Sequence, residues 1–162
     1  LFTEQFGSHP SITAWGPGRV NLIGGHTDYN EGLAMPTAID RWVAVAMRPR
    51  SDQTIRVHSV DFDSTLTIEP DESVSSKVSW HRYIDGAVKT FTDCAGFPGG
   101  FDALFLGDVP SGAGLSSSAA LLVAWMNALR ALHGASFDDY QADLFNPGTL
   151  YRARHLFEWL GY

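Results

Sequence analysis

The chain has 162 residues and a formal net charge of −7, with 44% hydrophobic and 18% charged residues. This length and composition support one folded domain, or part of a larger enzyme, and argue against a disordered chain. The acidic balance, without a run of Lys and Arg, argues against nucleic acid and anionic membranes as partners. Cys94 is the only cysteine in the sequence, which excludes an intrachain disulfide and fits a reducing, cytoplasmic location.

The first half of the chain has the pattern of β-strands. Residues 41–47 place apolar side chains at every second position, and residues 54–60 alternate in the same way. Residues 61–63 can turn the chain into a strand at 64–68, which predicts a β-hairpin. Residues 101–106 form a further predicted strand.

The second half has the spacing of helices. Apolar residues recur at helical intervals over 80–91. Residues 116–133 are apolar nearly all round, which predicts a buried helix. Further helices are predicted to start at Ser136 and to cover 150–160. Strands and helices in this order indicate an α+β fold with helices packed on one sheet.

The most informative segment is a run of glycine and serine from Val109 to Ala120, which follows a predicted strand and opens the buried helix. Glycine permits the positive φ angles that a tight anion-binding loop needs. The N–H groups of the first helical turn and the helix dipole attract an anion. Serine hydroxyls can donate to phosphate oxygens or ligate Mg²⁺. The pattern favours phosphate binding over the alternative, a plain strand-to-helix loop of small residues.

Three other loop motifs do not fit this segment. A Walker A loop needs a lysine, and none lies between Pro110 and Arg130. A dinucleotide-binding fingerprint needs a glycine where Ser117 stands. A nucleophile elbow needs a glycine where Ser118 stands. These motifs are therefore excluded.

A second polar segment, residues 18–32, contains Arg19, His26 and Asp28 between glycines. Carboxylate and imidazole groups can hold sugar hydroxyls, and an aromatic ring can pack against a C–H face of the sugar. Arg19 can stabilise a transferring phosphoryl group. The same residues also fit a polar turn that satisfies its own backbone. His26 and Asp28 alone are too few ligands for a metal site.

Together the two segments resemble the galactokinase branch of the GHMP kinases. Residues 18–29 are similar to the galactokinase signature, Gly-Arg-x-Asn-hydrophobic-Ile-Gly-acidic-His-x-Asp-Tyr. Residues 110–118 are similar to the GHMP ATP loop, Pro-x-x-x-Gly-Leu-(Gly/Ser)-Ser-Ser. Residues 80–86 are similar to a third family motif, Trp-x-Asn-Tyr-x-x-Gly. The motifs stand in the family's order, and the resemblance covers nearly the whole chain.

The resemblance implies the fold of the GHMP kinase N-terminal domain, a mixed sheet with helices on one face. The implied reaction is phosphorylation of the anomeric hydroxyl of galactose by ATP with Mg²⁺. Arg19 would be the catalytic residue that faces the reacting hydroxyl, and Ser117 would help to hold the metal. The implied sugar-binding residues are Gly25, His26, Asp28 and Tyr29. The implied ATP-binding residues are Trp80, Tyr83, Pro110, Gly112, Gly114, Leu115, Ser116, Ser117 and Ser118. The spacing of Trp80 and Tyr83 also fits the core face of a helix.

The chain departs from the family in three places. Gly25 stands where the signature has an acidic residue, which puts the identity or affinity of the sugar in question. Leu122 stands where galactokinases have glutamate, and Leu156 where they have an Ala-Glu pair, which would alter the surroundings of the ion and nucleotide. The chain ends at Tyr162, before the family's Cys-Gly-x-Met-Asp-Gln stretch, whose Asp is the family's proposed base.

We therefore expect residues 1–162 to be a single domain, the incomplete N-terminal part of a sugar kinase that needs its C-terminal domain for turnover. Its expected partners are a sugar, ATP and that missing domain. The alternative is a galactokinase-like module that binds sugar and ATP without turnover, which the departures at Gly25 and Leu122 favour. A GHMP kinase for mevalonate or homoserine ranks last, because it has no reason to carry the His-x-Asp-Tyr signature.

Overall fold

The structure is a computed structural model that describes residues 1–25, 30, 32–69 and 77–134. The helices predicted to start at Ser136 and to cover 150–160 lie outside these residues. The described elements are, in chain order, α1 (Phe2–Phe6), β1 (Ile12–Ile23), β2 (Met35–Pro49), β3 (Ile55–Ser59), β4 (Ser64–Ile68), α2 (Ser79–Ala95), β5 (Phe101–Gly107) and α3 (Ser117–His133). None of these helices is long and apolar enough to cross a membrane.

The five strands form one mixed sheet in the order β1-β2-β5-β3-β4. Strand β3 runs parallel to β5, and the other neighbouring pairs are antiparallel. A parallel pair needs a crossover connection, and α2 lies in the chain segment that supplies it. The β3–β4 hairpin predicted around residues 61–63 is confirmed, with Ser59 opposite Ser64.

The core lies between one face of the sheet and the two long helices. Side chains alternate between the two faces of a strand, so every second residue of β2 and β5 points toward the helices. Fully burying each large apolar side chain contributes about 1.5–3 kcal/mol. The α+β architecture with the long helices on one face of a mixed sheet is confirmed. The largest fully buried apolar side chains of the core are Trp125, Phe101, Met47, Ile55, Ile84 and Leu129.

Strand β1 corrects the sequence-based prediction. Gly16, Pro17 and Gly18 form a local turn signal and the polar segment starts at residue 18, yet Ile12–Ile23 is a strand. Pro17 is tolerated because β1 is an edge strand, where a missing N–H does not interrupt a ladder between two neighbours. The register of the β1–β2 pairing shifts between Pro17 and Arg19. Arg19 is thus held on a strand, and the chain leaves the sheet only after Ile23.

The glycines of β1 let α3 lie directly on the strand backbone. A Cβ atom on Gly16 would be 2.1 Å from the carbonyl oxygen of Ala120 and 2.9 Å from the amide nitrogen of Ala124. A Cβ on Gly18 would be 3.1 Å from the carbonyl oxygen of Leu115. Glycine inside a strand often marks such a close approach of two backbones. The glycines therefore set the depth at which α3 packs on the sheet.

The opposite face of the sheet holds a buried carboxylate among three arginines. Asp102 is fully buried and forms ion pairs with Arg48, Arg50 and Arg56. Burial by itself raises the pKa of the Asp102 carboxyl. The hydrogen bonds from the three guanidinium groups outweigh burial, so the pKa of Asp102 lies below its usual value. The short helix α1 lies on this face, where the ring of Phe6 is 5.4 Å from the Arg56 guanidinium.

We expect Asp102→Asn to lower the free energy of unfolding by about 3 kcal/mol, because three guanidinium groups lose the carboxylate that they share. The folded-state pKa of Asp102 lies below the unfolded value of about 3.9, so its contribution is present above that pH. It is lost as the pH falls through the folded-state pKa. Urea unfolding at pH 7 and at lower pH measures both effects.

The matched control is Asp52→Asn. The carboxylate of Asp52 is 49% exposed and pairs with Arg50 at the edge of the same cluster. We expect this control to cost much less than Asp102→Asn, because exposed ion pairs contribute little to stability. Equal losses for the two variants would contradict a special role for the buried carboxylate.

We expect Gly16→Ala to lower the free energy of unfolding by about 1–3 kcal/mol, because the added methyl group collides with backbone atoms of α3. Gly25→Ala is the control, since Gly25 has no positive φ angle and a Cβ there meets no described atom within 4 Å. Thermal unfolding of the two variants measures the difference. An unchanged melting temperature for Gly16→Ala would show that α3 does not rest on the β1 backbone.

Candidate functional site

The glycine- and serine-rich loop connects the end of β5 to the start of α3, as the sequence predicts. Gly112 and Gly114 have φ angles of 74° and 72°, in the left-handed region that glycine adopts without a steric penalty. A Cβ on either meets no described atom within 4 Å, so backbone conformation is what favours glycine. Ser116 also has a positive φ of 58°, a conformation that costs a non-glycine residue about 1–2 kcal/mol. Strain of this kind is concentrated at functional sites.

Helix α3 begins with an open, electropositive end. Its first hydrogen bond joins the N–H of Ala120 to the carbonyl oxygen of Ser116 at 3.0 Å. The first amide groups of an α-helix precede such a bond and have no acceptor carbonyl one turn earlier in the helix. The first turn contains no acidic residue, and the side chain of Ser116 does not cap it. An anion beside the loop would therefore meet backbone donors and the positive end of the helix dipole.

Strand β1 reaches this loop through its backbone. The N–H of Arg19 donates to the carbonyl oxygen of Leu115 at 3.0 Å. Gly18 lies close to the same carbonyl oxygen, and Arg19 is exposed on its strand opposite Ala38. The first residues of the polar segment and the glycine-rich loop, far apart in sequence, are thus neighbours in the structure.

A cavity of about 600 Å³ lies beside the loop, where β5 ends and α2 begins. This volume is in the usual range for small-molecule sites. The cavity brings together two sequence motifs, the one at the start of α2 and the glycine-rich loop. Six of the nine predicted ATP-binding residues line it: Trp80, Tyr83, Pro110, Gly112, Ser117 and Ser118. The other three lie in the same loop but outside the lining: Gly114, Leu115 and Ser116.

Trp80 belongs both to the core and to the cavity wall. Its side chain is almost fully buried, and its ring meets that of Phe105 edge-on with 5.2 Å between the centroids. Its indole N–H is buried and has no acceptor among the described residues, although buried tryptophan N–H groups usually have one. Tyr83, one helical turn later, is half-buried against the core and also lines the cavity. Trp80 and Tyr83 therefore both pack against the core and line the cavity.

Among the cavity-lining residues that sequence reasoning missed are Asp61 and Phe62 in the β3–β4 turn, and Asp108 after β5. The carboxylate of Asp61 accepts a hydrogen bond from the N–H of Gly107 at 2.9 Å. Phe62 is 54% exposed. The one signal in the sequence was an aromatic residue at a turn, where polar residues are usual.

The charges of the cavity wall are unevenly distributed. The carboxylate of Asp108 accepts hydrogen bonds from the N–H of Trp42 and from Arg41. These bonds, foremost that of Trp42, hold the pKa of Asp108 below its usual value. Asp108 and Asp61 therefore place negative charge where β5 ends, whereas the start of α3 is electropositive.

The predicted sugar-binding residues are described only in part. Gly25 is exposed just after β1, and His26, Asp28 and Tyr29 lie outside the described residues. Leu122 is buried in the core and does not line the cavity, and Leu156 lies outside the described residues. Within the described ranges, no group of three or more His, Cys, Asp and Glu side chains could hold a metal ion.

Comparison with known proteins gives two family matches. Residues 1–49 match the galactokinase galactose-binding signature, and residues 82–146 match the GHMP kinases N-terminal domain. A galactokinase of Roseiflexus sp. (strain RS-1) is 47% identical over 123 residues, which are 76% of this chain and 32% of that protein. The match thus spans about a third of the relative's length.

Solved structures share the fold. The crystal structure of Lactococcus lactis galactokinase complexed with galactose has a TM-score of 0.79 and 27% identity, over 99% of this chain and 41% of that one. The Methanococcus jannaschii mevalonate kinase has a TM-score of 0.68 and 21% identity, over 84% of this chain and 44% of that one. The signature match covers the polar segment, and the domain match covers the glycine-rich loop. The chain therefore belongs to the galactokinase branch of the GHMP kinase family and corresponds to the N-terminal portion of its relatives.

Proposed function

We propose that the chain is the sugar- and nucleotide-binding N-terminal part of a galactokinase. That enzyme would transfer a phosphoryl group from ATP to the anomeric hydroxyl of galactose, or of a related sugar, and release the sugar 1-phosphate. The observation that carries the proposal is the hydrogen bond from the Arg19 N–H to the Leu115 carbonyl. It joins the galactose-binding signature to the phosphate loop, so a sugar at one and phosphates at the other would be neighbours.

The cavity and its loop fit a nucleoside triphosphate. The open end of α3 and the hydroxyls of Ser116, Ser117 and Ser118 would hold phosphate oxygens. Gly112 and Gly114 give the loop the backbone conformation that such a cradle needs. Bound ATP supplies the phosphoryl group.

The residues present also fit Mg²⁺, provided that phosphates supply most of its ligands. Mg²⁺ in such sites takes one or two protein oxygens together with phosphate oxygens and water. We assign one of these positions to the hydroxyl of Ser117, which lines the cavity at the start of α3. The metal would neutralise charge on the transferring phosphoryl group.

Arg19 is the residue that we propose for stabilising the negative charge that develops on the transferred group. An arginine side chain stays charged and offers several donors in a fixed plane. The strand and the hydrogen bond to Leu115 fix its backbone beside the loop, and such positioning is the main part of phosphoryl-transfer catalysis. Gly25, His26, Asp28 and Tyr29 would surround the sugar. A C-terminal domain of the longer protein would complete the site.

Calorimetric titration of the chain with MgATP, with and without galactose, tests the proposal beside a coupled kinase assay. We expect the chain to bind MgATP without efficient turnover. The double variant Ser117→Ala/Ser118→Ala should bind about tenfold or more weakly, because hydrogen bonds to a charged group are lost. Ser51→Ala, at an exposed serine distant in sequence from the loop, is the control. A wild-type chain that binds no MgATP would contradict the proposal.

A galactokinase-like module that binds sugar and ATP without turnover is the second candidate function. The observation that favours it is Gly25, which stands where the galactokinase signature has an acidic residue. A lost carboxylate acceptor weakens sugar binding by about 1.5–3 kcal/mol for each charged hydrogen bond. A wild-type protein containing this chain and its C-terminal domain that binds both ligands but transfers no phosphate would favour this candidate.

We expect Gly25→Glu to strengthen galactose binding by about tenfold, because the added carboxylate accepts a hydrogen bond from a sugar hydroxyl. A Cβ at this position meets no described atom within 4 Å and the φ angle is not positive, so a side chain fits. Gly25→Gln adds similar bulk without charge and should give a smaller gain. Equal galactose affinities of Gly25→Glu and wild type in calorimetry would show that the missing acidic residue is irrelevant.

A further inference from the structure

We propose that Asp108 is a positioning residue of the phosphate site, because its carboxylate ties the start of the glycine-rich loop to strand β2. This inference rests on the proposed function, since it needs a polyphosphate at the loop. Asp108 lines the cavity, yet a carboxylate beside bound phosphates repels them. The hydrogen bonds that this carboxylate accepts give it a different role.

The Asp108 side chain extends the pairing of β2 with β5 beyond its last regular pair, Val43 opposite Gly107. The N–H of Asp108 donates to the carbonyl oxygen of Trp42 at 3.0 Å. The N–H of Trp42 donates back to the Asp108 carboxylate at 2.5 Å. In a regular antiparallel pair the second acceptor would be a backbone carbonyl. Because the side chain accepts instead, the backbone can turn into the loop while the Trp42 N–H stays paired.

The loop is thereby held at both ends. Asp108 ties its first end to β2, and the hydrogen bond from Arg19 to Leu115 ties its last end to β1. The two attachment points are close together on the sheet, since Trp42 lies opposite Pro17, the last pair before the register shift that precedes Arg19. A loop fixed at both ends presents its N–H groups to a phosphate in one arrangement, and such preorganisation is what favours binding of the charged group.

The bond to Trp42 needs an acceptor oxygen but no negative charge. The ion pair of Asp108 with Arg41, at 3.3 Å, is exposed and contributes little. An asparagine at position 108 would keep an acceptor oxygen for the Trp42 N–H and remove the charge that repels phosphates. Asp108→Asn and Asp108→Ala should therefore change phosphate binding in different directions.

Calorimetric titration of the wild type and the two variants with MgATP tests this inference. We expect Asp108→Ala to weaken MgATP binding about tenfold, because the hydrogen bond between the Trp42 N–H and a charged acceptor is lost. Asp108→Asn should bind MgATP at least as tightly as the wild type. Magnesium tripolyphosphate should show the same order of affinities, because the loop holds phosphates and not the base.

Asp52→Ala is the matched control. The Asp52 carboxylate is 49% exposed, against 53% for Asp108, and it also accepts from an arginine, Arg50, and from a backbone N–H, that of Thr54. The carbonyl oxygen of Asp52 accepts from the N–H of Gly100, just before β5 begins, so this residue lies at the end of β5 away from the loop. We expect Asp52→Ala to leave MgATP affinity unchanged.

The outcomes separate the two proposals. If the wild type binds MgATP and Asp108→Ala binds it equally well, the positioning role is overturned, and the phosphate site stands. If Asp108→Asn binds more weakly than the wild type, the acceptor oxygen is not what matters and the role is likewise overturned. This second comparison decides the question where Asp108→Ala does not fold, which thermal unfolding without ligand shows. If the wild-type chain binds neither ligand, the proposed function is overturned and this inference with it.

Discussion

The direct contact between the backbones of β1 and α3 at Gly16 is the constraint on which the rest of the structure depends. Because no Cβ atom stands between them, the carbonyl oxygen of Ala120 lies against the strand. This depth brings the loop before α3 within reach of β1, and the N–H of Arg19 donates to the Leu115 carbonyl. The positive end of the helix, the first residues of the polar segment and the cavity are thereby brought together around the loop.

The two faces of the sheet differ in their charged groups. On the face away from the long helices, Asp102 shares its carboxylate among three arginines. Asp52 pairs with Arg50 at the same cluster, so much of this positive charge is neutralised. On the helix side, the open end of α3 attracts anions through backbone groups. The polyphosphate site that we propose for this acidic protein therefore needs no lysine in its loop.

Local patterns predicted most elements of the fold, and tertiary contacts explain the exceptions. The alternation at residues 41–47 predicts only part of β2 (Met35–Pro49), and the apolar run predicts α3. Both patterns arise because these residues are buried in the core. The sequence does not predict strand β1, since Gly16, Pro17 and Gly18 oppose a strand locally. They are accommodated by an edge position and by the helix packed above them, neither of which a sequence window contains. The Asp102 cluster is likewise assembled by strand pairing, with Arg48 opposite Asp102.

The candidate site shows the same division. The sequence predicts the loop, the Trp80 motif and the turn at residues 61–63, but not that this turn lines the cavity. Amide chemical-shift mapping of the chain with MgATP is the most direct test of whether the open end of α3 binds the phosphates. We predict the largest shifts at residues 112–119, with smaller shifts at Arg19. Shifts confined to Arg48, Arg50 and Arg56 would contradict it, because the anion would then bind the opposite face.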